Sequence, residues 1–170
     1  LILIDPCLFD VGGHEYAMAQ FLSQEAAEQG FKPTVLSHIE FSKPASFSCQ
    51  PLFSYNPYNS TGRSPQEDMA IFQYGNKEIY QKLCTFLPAS ELEPNSVILL
   101  HTACSTILGG IAAWLKKYRR DDLRIRLVFR WGITERHSSE AIGLHLFHKI
   151  FQKFEKIEIY ESKSSPKTPP

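Results

Sequence analysis

Residues 1–30, LILIDPCLFDVGGHEYAMAQFLSQEAAEQG, decide the fold class of this chain. An apolar run predicts a buried β-strand that ends at Asp5, and apolar residues at helical spacing predict a helix over residues 14–29 with the last glycine as its C-cap. The adjacent Gly12 and Gly13 connect strand to helix. Glycine is unfavourable at a helix start unless the backbone takes a positive φ or another group comes close. The pair therefore indicates either a ligand at this loop or a tight turn.

The rest of the chain continues this alternation of strands and helices. Strands are predicted at residues 32–38, 50–55, 96–101, 124–130 and 156–160, and helices at residues 65–87, 104–118 and 138–154. Ser64-Pro65-Gln66-Glu67 is a capping box with proline at the first helical position, which marks the start of the helix over residues 65–87. Most of the strands are apolar throughout, as is typical of parallel sheets covered on both faces.

The sequence therefore predicts a Rossmann-like, doubly wound α/β domain over residues 1–161, with a mostly parallel sheet and helices on both faces. The inner stripes of the first helix and of the helix over residues 104–118 are predicted to include Met18, Phe21, Leu22 and Ala26, and Ile107, Ile111, Trp114 and Leu115, respectively. Residues 162–170, rich in Ser, Lys and Pro, have the composition of a linker or tail. We expect the chain to be part of a longer protein, because it begins with Leu in mid-strand.

The composition limits the partners of the chain. Its 170 residues are 43% hydrophobic, which suffices for one buried core, and 18 Lys+Arg balance 18 Asp+Glu. We therefore expect no nucleic-acid partner. The basic run KKYRR at residues 116–120 falls in the last turn of a predicted helix, where cations suit the dipole; a weak peripheral membrane contact is the alternative.

The cysteines and the apolar runs bear on localisation. The four cysteines show no CxxC spacing, which favours reduced thiols and a cytoplasmic location. No apolar run reaches the length of a membrane span, and no segment resembles a signal peptide.

Candidate site residues follow from the rule that ligands bind beyond the carboxyl ends of parallel strands. Gly12 and Gly13, with the N–H groups of the helix behind them, predict an anion site for which phosphate is the natural ligand. His101 is the first polar residue after an apolar strand, so it is either a cleft residue or a structural histidine. Arg130 ends the next strand and predicts either a phosphate or carboxylate contact or a salt bridge.

Several other classes of site are not indicated. The dinucleotide fingerprint G-x-G-x-x-G and the Walker loop are absent, and so is the G-x-S-x-G elbow of hydrolases. His145 and His148 share a helical face, but without an H-E-x-x-H pattern they do not predict a metal site, and we expect none.

Two motifs resemble the amino-terminal domain of GT-B glycosyltransferases of the retaining, family 4-like kind. The first is the strand and loop followed by GGHE at residues 12–15, an amphipathic helix, Gly30 and PTVLSH. The second is SVILLHTACSTILGGIAAWLKK at residues 96–117, similar to the family's strand that ends in histidine and leads into a helix of small and apolar residues. The resemblance covers most of residues 1–160.

The resemblance implies that this chain is the acceptor-side domain of an enzyme that moves a sugar from a nucleotide-sugar to a glycan, lipid or small-molecule hydroxyl. Gly12 and Gly13 would approach the donor diphosphate, His101 would lie near the transferred sugar, and Glu15 matches the family's acidic position. His14 occupies a variable position of the motif and is, with Arg130, a further cleft candidate.

No cofactor is implied, because the nucleotide-sugar is a substrate. The carboxyl-terminal donor-binding domain with its Glu-x7-Glu motif is missing from this sequence, so we expect the chain alone to be inactive. The alternatives are a non-enzymatic nucleotide- or phosphate-binding module and a scaffold domain.

Overall fold

A computed structural model of the chain describes residues 1–57, 64–87, 92–118, 122–129 and 157–161. Strands and helices alternate in the order β1 (Ile2–Ile4), α1 (Gly13–Glu28), β2 (Thr34–His38), β3 (Cys49–Phe53), α2 (Pro65–Phe86), β4 (Val97–Leu100), α3 (Ser105–Tyr118), β5 (Arg124–Phe129) and β6 (Ile157–Glu161). Each of these elements lies where the sequence predicts one. The helix predicted over residues 138–154 and the tail at 162–170 lie outside the described residues.

The six strands form one parallel sheet in the order β3-β2-β1-β4-β5-β6. β1 pairs with β2 on one side and with β4 on the other, so the winding of the chain reverses between β1 and β4. This reversal is the switch point at which Rossmann-like sheets open a crevice for ligands. The predicted fold class, a Rossmann-like doubly wound α/β domain, is thereby confirmed.

The sheet is covered on both faces because successive strand residues point to opposite sides. Leu3, Val35 and Leu99 belong to one apolar cluster, which also contains Ala19 of α1. Ile4 and Leu100 belong to a larger cluster on the other side, which contains the inner residues of α2 and α3. The two apolar clusters cover the faces of the sheet, and the loops that follow β1 and β4 lie at its carboxyl edge.

The two predicted helical stripes differ in outcome. In α3 the predicted inner residues are all buried, namely Ile107, Ile111, Trp114 and Leu115. In α1 the prediction was wrong for Phe21, which is 57% exposed. The buried positions of α1 are Ala19, Ser23 and Ala26, a stripe of small side chains that turns Phe21 towards the outside.

The ends of the helices follow their sequence signals. The Ser64 hydroxyl accepts a hydrogen bond from the backbone N–H of Glu67 at 3.2 Å, as the capping box predicts. Gly30 follows α1 with a φ of +84°, the left-handed conformation typical of a glycine behind a helix.

α2 and α3 pack closely at one point. The Asn76 side chain of α2 accepts a hydrogen bond from the Gly110 backbone N–H at 2.8 Å and donates one to the Phe72 carbonyl at 2.8 Å. A Cβ on Gly110 would clash with the carbonyl oxygen of Asn76. The glycine therefore permits the close approach of the two helices.

The four cysteines of the chain form no disulfide with one another. Within the described ranges, the helices lack the combined length and apolar character that crossing a bilayer requires.

Candidate functional site

The site predicted from the sequence lies where β1 and β4 end side by side. Ile4 pairs with Leu100 in the parallel register, so Asp5 and His101, the next residue of each strand, lie next to each other at the carboxyl edge. Both side chains are buried, with relative exposures of 0% for Asp5 and 2% for His101. The switch point of the sheet therefore contains an enclosed carboxylate and an enclosed imidazole.

Asp5 and His101 form the central polar contact of this edge. Asp5 Oδ2 lies 3.2 Å from His101 Nδ1, and Asp5 Oδ1 accepts the backbone N–H of Cys7 at 3.1 Å. The hydroxyl of Thr102 lies 3.3 Å from the same His101 nitrogen. Each carboxylate oxygen of Asp5 thus has a polar partner within hydrogen-bond distance, as buried polar groups require.

The loop that follows Asp5 is fixed to its surroundings. The backbone N–H of Leu8 donates to the Asp5 carbonyl at 3.2 Å, and the Leu8 carbonyl accepts from the N–H of His38 at 3.0 Å. Leu8 itself is fully buried. These bonds hold the first half of the loop against the end of β2.

The second half of the loop is exposed and carries an ion pair. Asp10 Oδ1 accepts from Lys43 Nζ at 2.6 Å and from the N–H of Val11 at 2.7 Å. The hydrogen bond from Lys43, followed by that from Val11, lowers the pKa of Asp10 below its ordinary value. The loop therefore reaches α1 in a defined conformation.

The two glycines at the start of α1 differ in backbone geometry. Gly12 is the N-cap residue with φ −91° and ψ 158°, an extended conformation that any residue adopts, and it contributes no side-chain cap. Gly13 has a φ of +89°, which penalises every residue with a Cβ. A tight turn therefore explains why residue 13 is glycine, but the backbone conformation does not explain why residue 12 is glycine.

The surroundings of Gly12 are open. A Cβ built on Gly12 would meet no atom of the chain within 4 Å, and one on Gly13 would meet only Glu15 Oε2, at 3.5 Å. Packing within the described residues therefore does not require either glycine. Because Gly12 is the N-cap residue, the open space beside it adjoins the first turn of α1, where the helix dipole favours an anion.

Glu15 and His14 border the same space. Glu15 is the acidic residue of the first turn of α1 and is half-buried, with its carboxylate turned back towards Gly13. His14 is exposed, and its ring lies 5.6 Å from the ring of His101 between centroids, with 32° between the planes. The structure thus brings His14 of the glycine motif into contact with His101 from the end of β4.

Of the predicted site residues, Gly12, Gly13, His14, Glu15 and His101 all lie at the junction of β1, β4 and α1. The side chain of His101 is buried, and its ring contacts that of His14, so only a small part of the ring reaches the surface of the edge. Arg130 lies outside the described residues, as do His145 and His148.

Sequence reasoning missed Asp5 as a functional candidate. The signal was present, because Asp5 is the first polar residue after an apolar strand, the same feature that singled out His101. What the sequence did not show is that the two strands are neighbours in register, which makes the two residues a pair.

His38, at the end of β2, provides a contrast to His101. Its Nε2 donates to the Ser54 carbonyl at 3.2 Å and its Nδ1 accepts the backbone N–H of Glu40 at 3.2 Å. Both ring nitrogens are therefore satisfied by backbone groups, as in a structural histidine. Among the described residues, the ring of His101 has no such backbone partners.

Metal ligands are not grouped at this edge. Across the part of the chain that the structure describes, no three His, Cys, Asp or Glu side chains come together in a way that could hold a metal ion.

No family model matches the chain, and no curated protein matches it significantly. The fold and the geometry of this edge are therefore the features that bear on function.

Proposed function

We propose that this chain is the acceptor-side domain of a GT-B glycosyltransferase that transfers a sugar from a nucleotide-sugar to a hydroxyl of a glycan, lipid or small molecule. The observation that carries the proposal is the open start of α1 at the switch point of the sheet. There Gly12 leaves the first turn uncovered, and the only imidazole pair of the described residues whose rings are in contact, His14 and His101, lies beside it.

The first role in this proposal belongs to the backbone of α1. Transfer breaks the bond between the anomeric carbon and a diphosphate oxygen and forms a bond from the acceptor oxygen to that carbon. The proton of the acceptor hydroxyl passes to the released diphosphate. Negative charge therefore grows on the diphosphate, and N–H groups at Gly12 and Gly13 together with the helix dipole stabilise it.

The second role belongs to the residues around the glycines. His101 positions a hydroxyl of the sugar or acceptor, and His14 and Glu15 line the approach to it. Arg130, which the sequence places at the end of the β5 segment, is a second candidate for contact with phosphate. No metal is required in this scheme, because the helix start supplies the positive potential.

The nucleotide is assigned to a second domain of the longer protein, as the resemblance to GT-B enzymes implies. A cytoplasmic location for the reaction is part of the proposal, and four cysteines without a disulfide among them support it. The main alternative is a module that binds nucleotides or phosphate without catalysis.

The test is a transfer assay on the longer protein that contains this chain, with a panel of UDP- and GDP-sugars and a mixture of glycan, lipid and small-molecule acceptors. We expect release of nucleoside diphosphate that depends on both a donor and an acceptor. Binding of a donor without turnover would favour the non-enzymatic module. Absence of both binding and turnover across the panel would contradict the proposal.

A further inference from the structure

We propose that Asp5 is a positioning residue that fixes the tautomer of His101, holding the ring proton on Nδ1 and leaving Nε2 as a hydrogen-bond acceptor at the carboxyl edge of the sheet. The role of Nε2 towards a sugar or acceptor hydroxyl rests on the proposed function. The tautomer itself depends only on the contacts of the described residues.

Two oxygen atoms face Nδ1 of His101. Asp5 Oδ2 lies 3.2 Å away and the Thr102 hydroxyl oxygen 3.3 Å away. An ionised carboxylate only accepts hydrogen bonds, whereas a hydroxyl either donates or accepts. Asp5 therefore decides the arrangement: a neutral His101 ring must carry its proton on Nδ1, because a lone pair there would face the charge of Asp5.

The loop after β1 fixes the orientation of the Asp5 carboxylate. Its other oxygen, Oδ1, accepts the backbone N–H of Cys7 at 3.1 Å. The carboxylate is completely enclosed, so it has no freedom to turn towards water. A backbone group of the loop thus holds the carboxylate with Oδ2 towards His101.

The second ring nitrogen of His101 is Nε2. Both hydrogen-bond contacts of the ring involve Nδ1, and within the described part of the chain Nε2 has no hydrogen-bond partner. His38, by contrast, uses both ring nitrogens for backbone groups.

Together these contacts form the arrangement in which a carboxylate orients an imidazole from behind and leaves its second nitrogen available to a ligand. Under the proposed function, Nε2 accepts a hydrogen bond from a hydroxyl next to the diphosphate site. The exposed ring of His14 contacts the ring of His101.

The structure predicts the effect of Asp5→Asn in detail. The amide oxygen must replace Oδ1 as the acceptor for the N–H of Cys7, because the amide nitrogen has no lone pair to offer. The NH2 group then faces His101 Nδ1 and donates to it. The ring proton moves to Nε2, which changes from an acceptor into a donor.

The experiment is nitrogen NMR of the chain labelled with 15N-histidine, recorded as the pH is raised until the ring of His101 is neutral. His101→Gln identifies the signals by their loss. In the unmodified chain we expect the resonance of an unprotonated nitrogen for Nε2 and of a protonated one for Nδ1. In Asp5→Asn we expect the two assignments to exchange, and in the control Thr102→Val to remain as in the unmodified chain.

A protonated Nε2 in the unmodified chain would overturn the proposal, whether or not Asp5→Asn folds. Unchanged assignments in a folded Asp5→Asn variant would overturn the role of Asp5. The measurement needs no donor or acceptor, so failure of the proposed glycosyl transfer would leave its result intact. The two proposals therefore fail separately.

Discussion

Gly13 enters α1 with a φ of +89°, whereas the extended backbone of Gly12 would accept any residue. The chain offers a second positive-φ glycine, Gly30, with a φ of +84° at the other end of the same helix. A residue with a Cβ is strained at both positions, but the two positions lie at opposite ends of the helix dipole. Comparing the same substitution at both therefore separates a loss of stability from a loss of anion binding.

The first prediction compares Gly13→Val with Gly30→Val. Both variants should lose stability by roughly 1–3 kcal/mol, because a β-branched residue is strained at positive φ. Only Gly13→Val should also lose donor affinity in the longer protein, since the added side chain would stand beside the Glu15 carboxylate at the first turn of α1. Thermal unfolding and donor titration check the two effects, and equal donor affinity in both variants would assign Gly13 a purely structural role.

The second prediction concerns Asp5 and His101 as a unit. In the longer protein, His101→Ala should reduce transfer by roughly tenfold to a thousandfold through lost positioning. Asp5→Asn should cause a loss of similar size, and the double variant should be no worse than His101→Ala, because both changes remove one interaction. Losses that multiply in the double variant would show that the two residues act independently.

At the scale of secondary structure, the elements place three parts of the site together. β1 and β4 supply Asp5 and His101 through their parallel register, and α1 supplies the glycines and His14. α2 and α3 pack closely against each other at Asn76 and Gly110, which none of these site residues contacts in the hydrogen bonds described.

The third prediction uses the adjacent glycines of α3. Gly110→Ala should destabilise the chain by about 1–3 kcal/mol, because the new methyl group meets the backbone carbonyl of Asn76, which cannot turn away. Gly109→Ala should cost less, since its Cβ would meet the end of the Asn76 side chain at 2.8 Å. Urea unfolding with an unchanged slope measures both. A larger loss for Gly109→Ala would contradict the assigned contact.

The order of the elements was predictable because local signals fix it: the capping box at Ser64 and the apolar runs need no tertiary information. Apolar spacing did not predict which face of α1 is buried. Phe21 fits the spacing of the apolar residues, but the buried face is formed by small residues such as Ala19 and Ser23, which are also one helical turn apart. The glycines and His101 followed from the carboxyl-edge rule. The Asp5–His101 pair did not, because it joins residues 96 positions apart.

At the scale of the whole molecule, the chain has one sheet with a single switch point between β1 and β4 in its described part. Its core is ample, with apolar clusters on both faces of the sheet. The open start of α1 is proposed to contact a diphosphate. Under the proposed function, the resemblance to GT-B enzymes assigns the nucleotide to a second domain.

The fourth prediction follows from this division. The isolated chain should unfold in one cooperative transition but should transfer no sugar from any donor of the UDP and GDP panel, because donor recognition is assigned elsewhere. Calorimetry and the transfer assay measure the two properties. Clear transfer by the isolated chain would contradict the two-domain account, while leaving the anion site at α1 open to the next test.

The central claim is that an anionic group of the donor binds in front of Gly12, and the charge at that position tests it most directly. Asp and Asn are equally good N-cap residues of nearly equal size, and the extended backbone of Gly12 accepts both, so Gly12→Asp and Gly12→Asn should fold equally well.

The measurement is donor affinity of the two variants in the longer protein, with thermal unfolding as the control. We predict that Gly12→Asp binds the donor at least fivefold more weakly than Gly12→Asn, because repulsion between charges about 4 Å apart is on the order of 1–4 kcal/mol. Raising the salt concentration should narrow the difference. Equal donor affinity of the two variants would contradict an anion site at the start of α1.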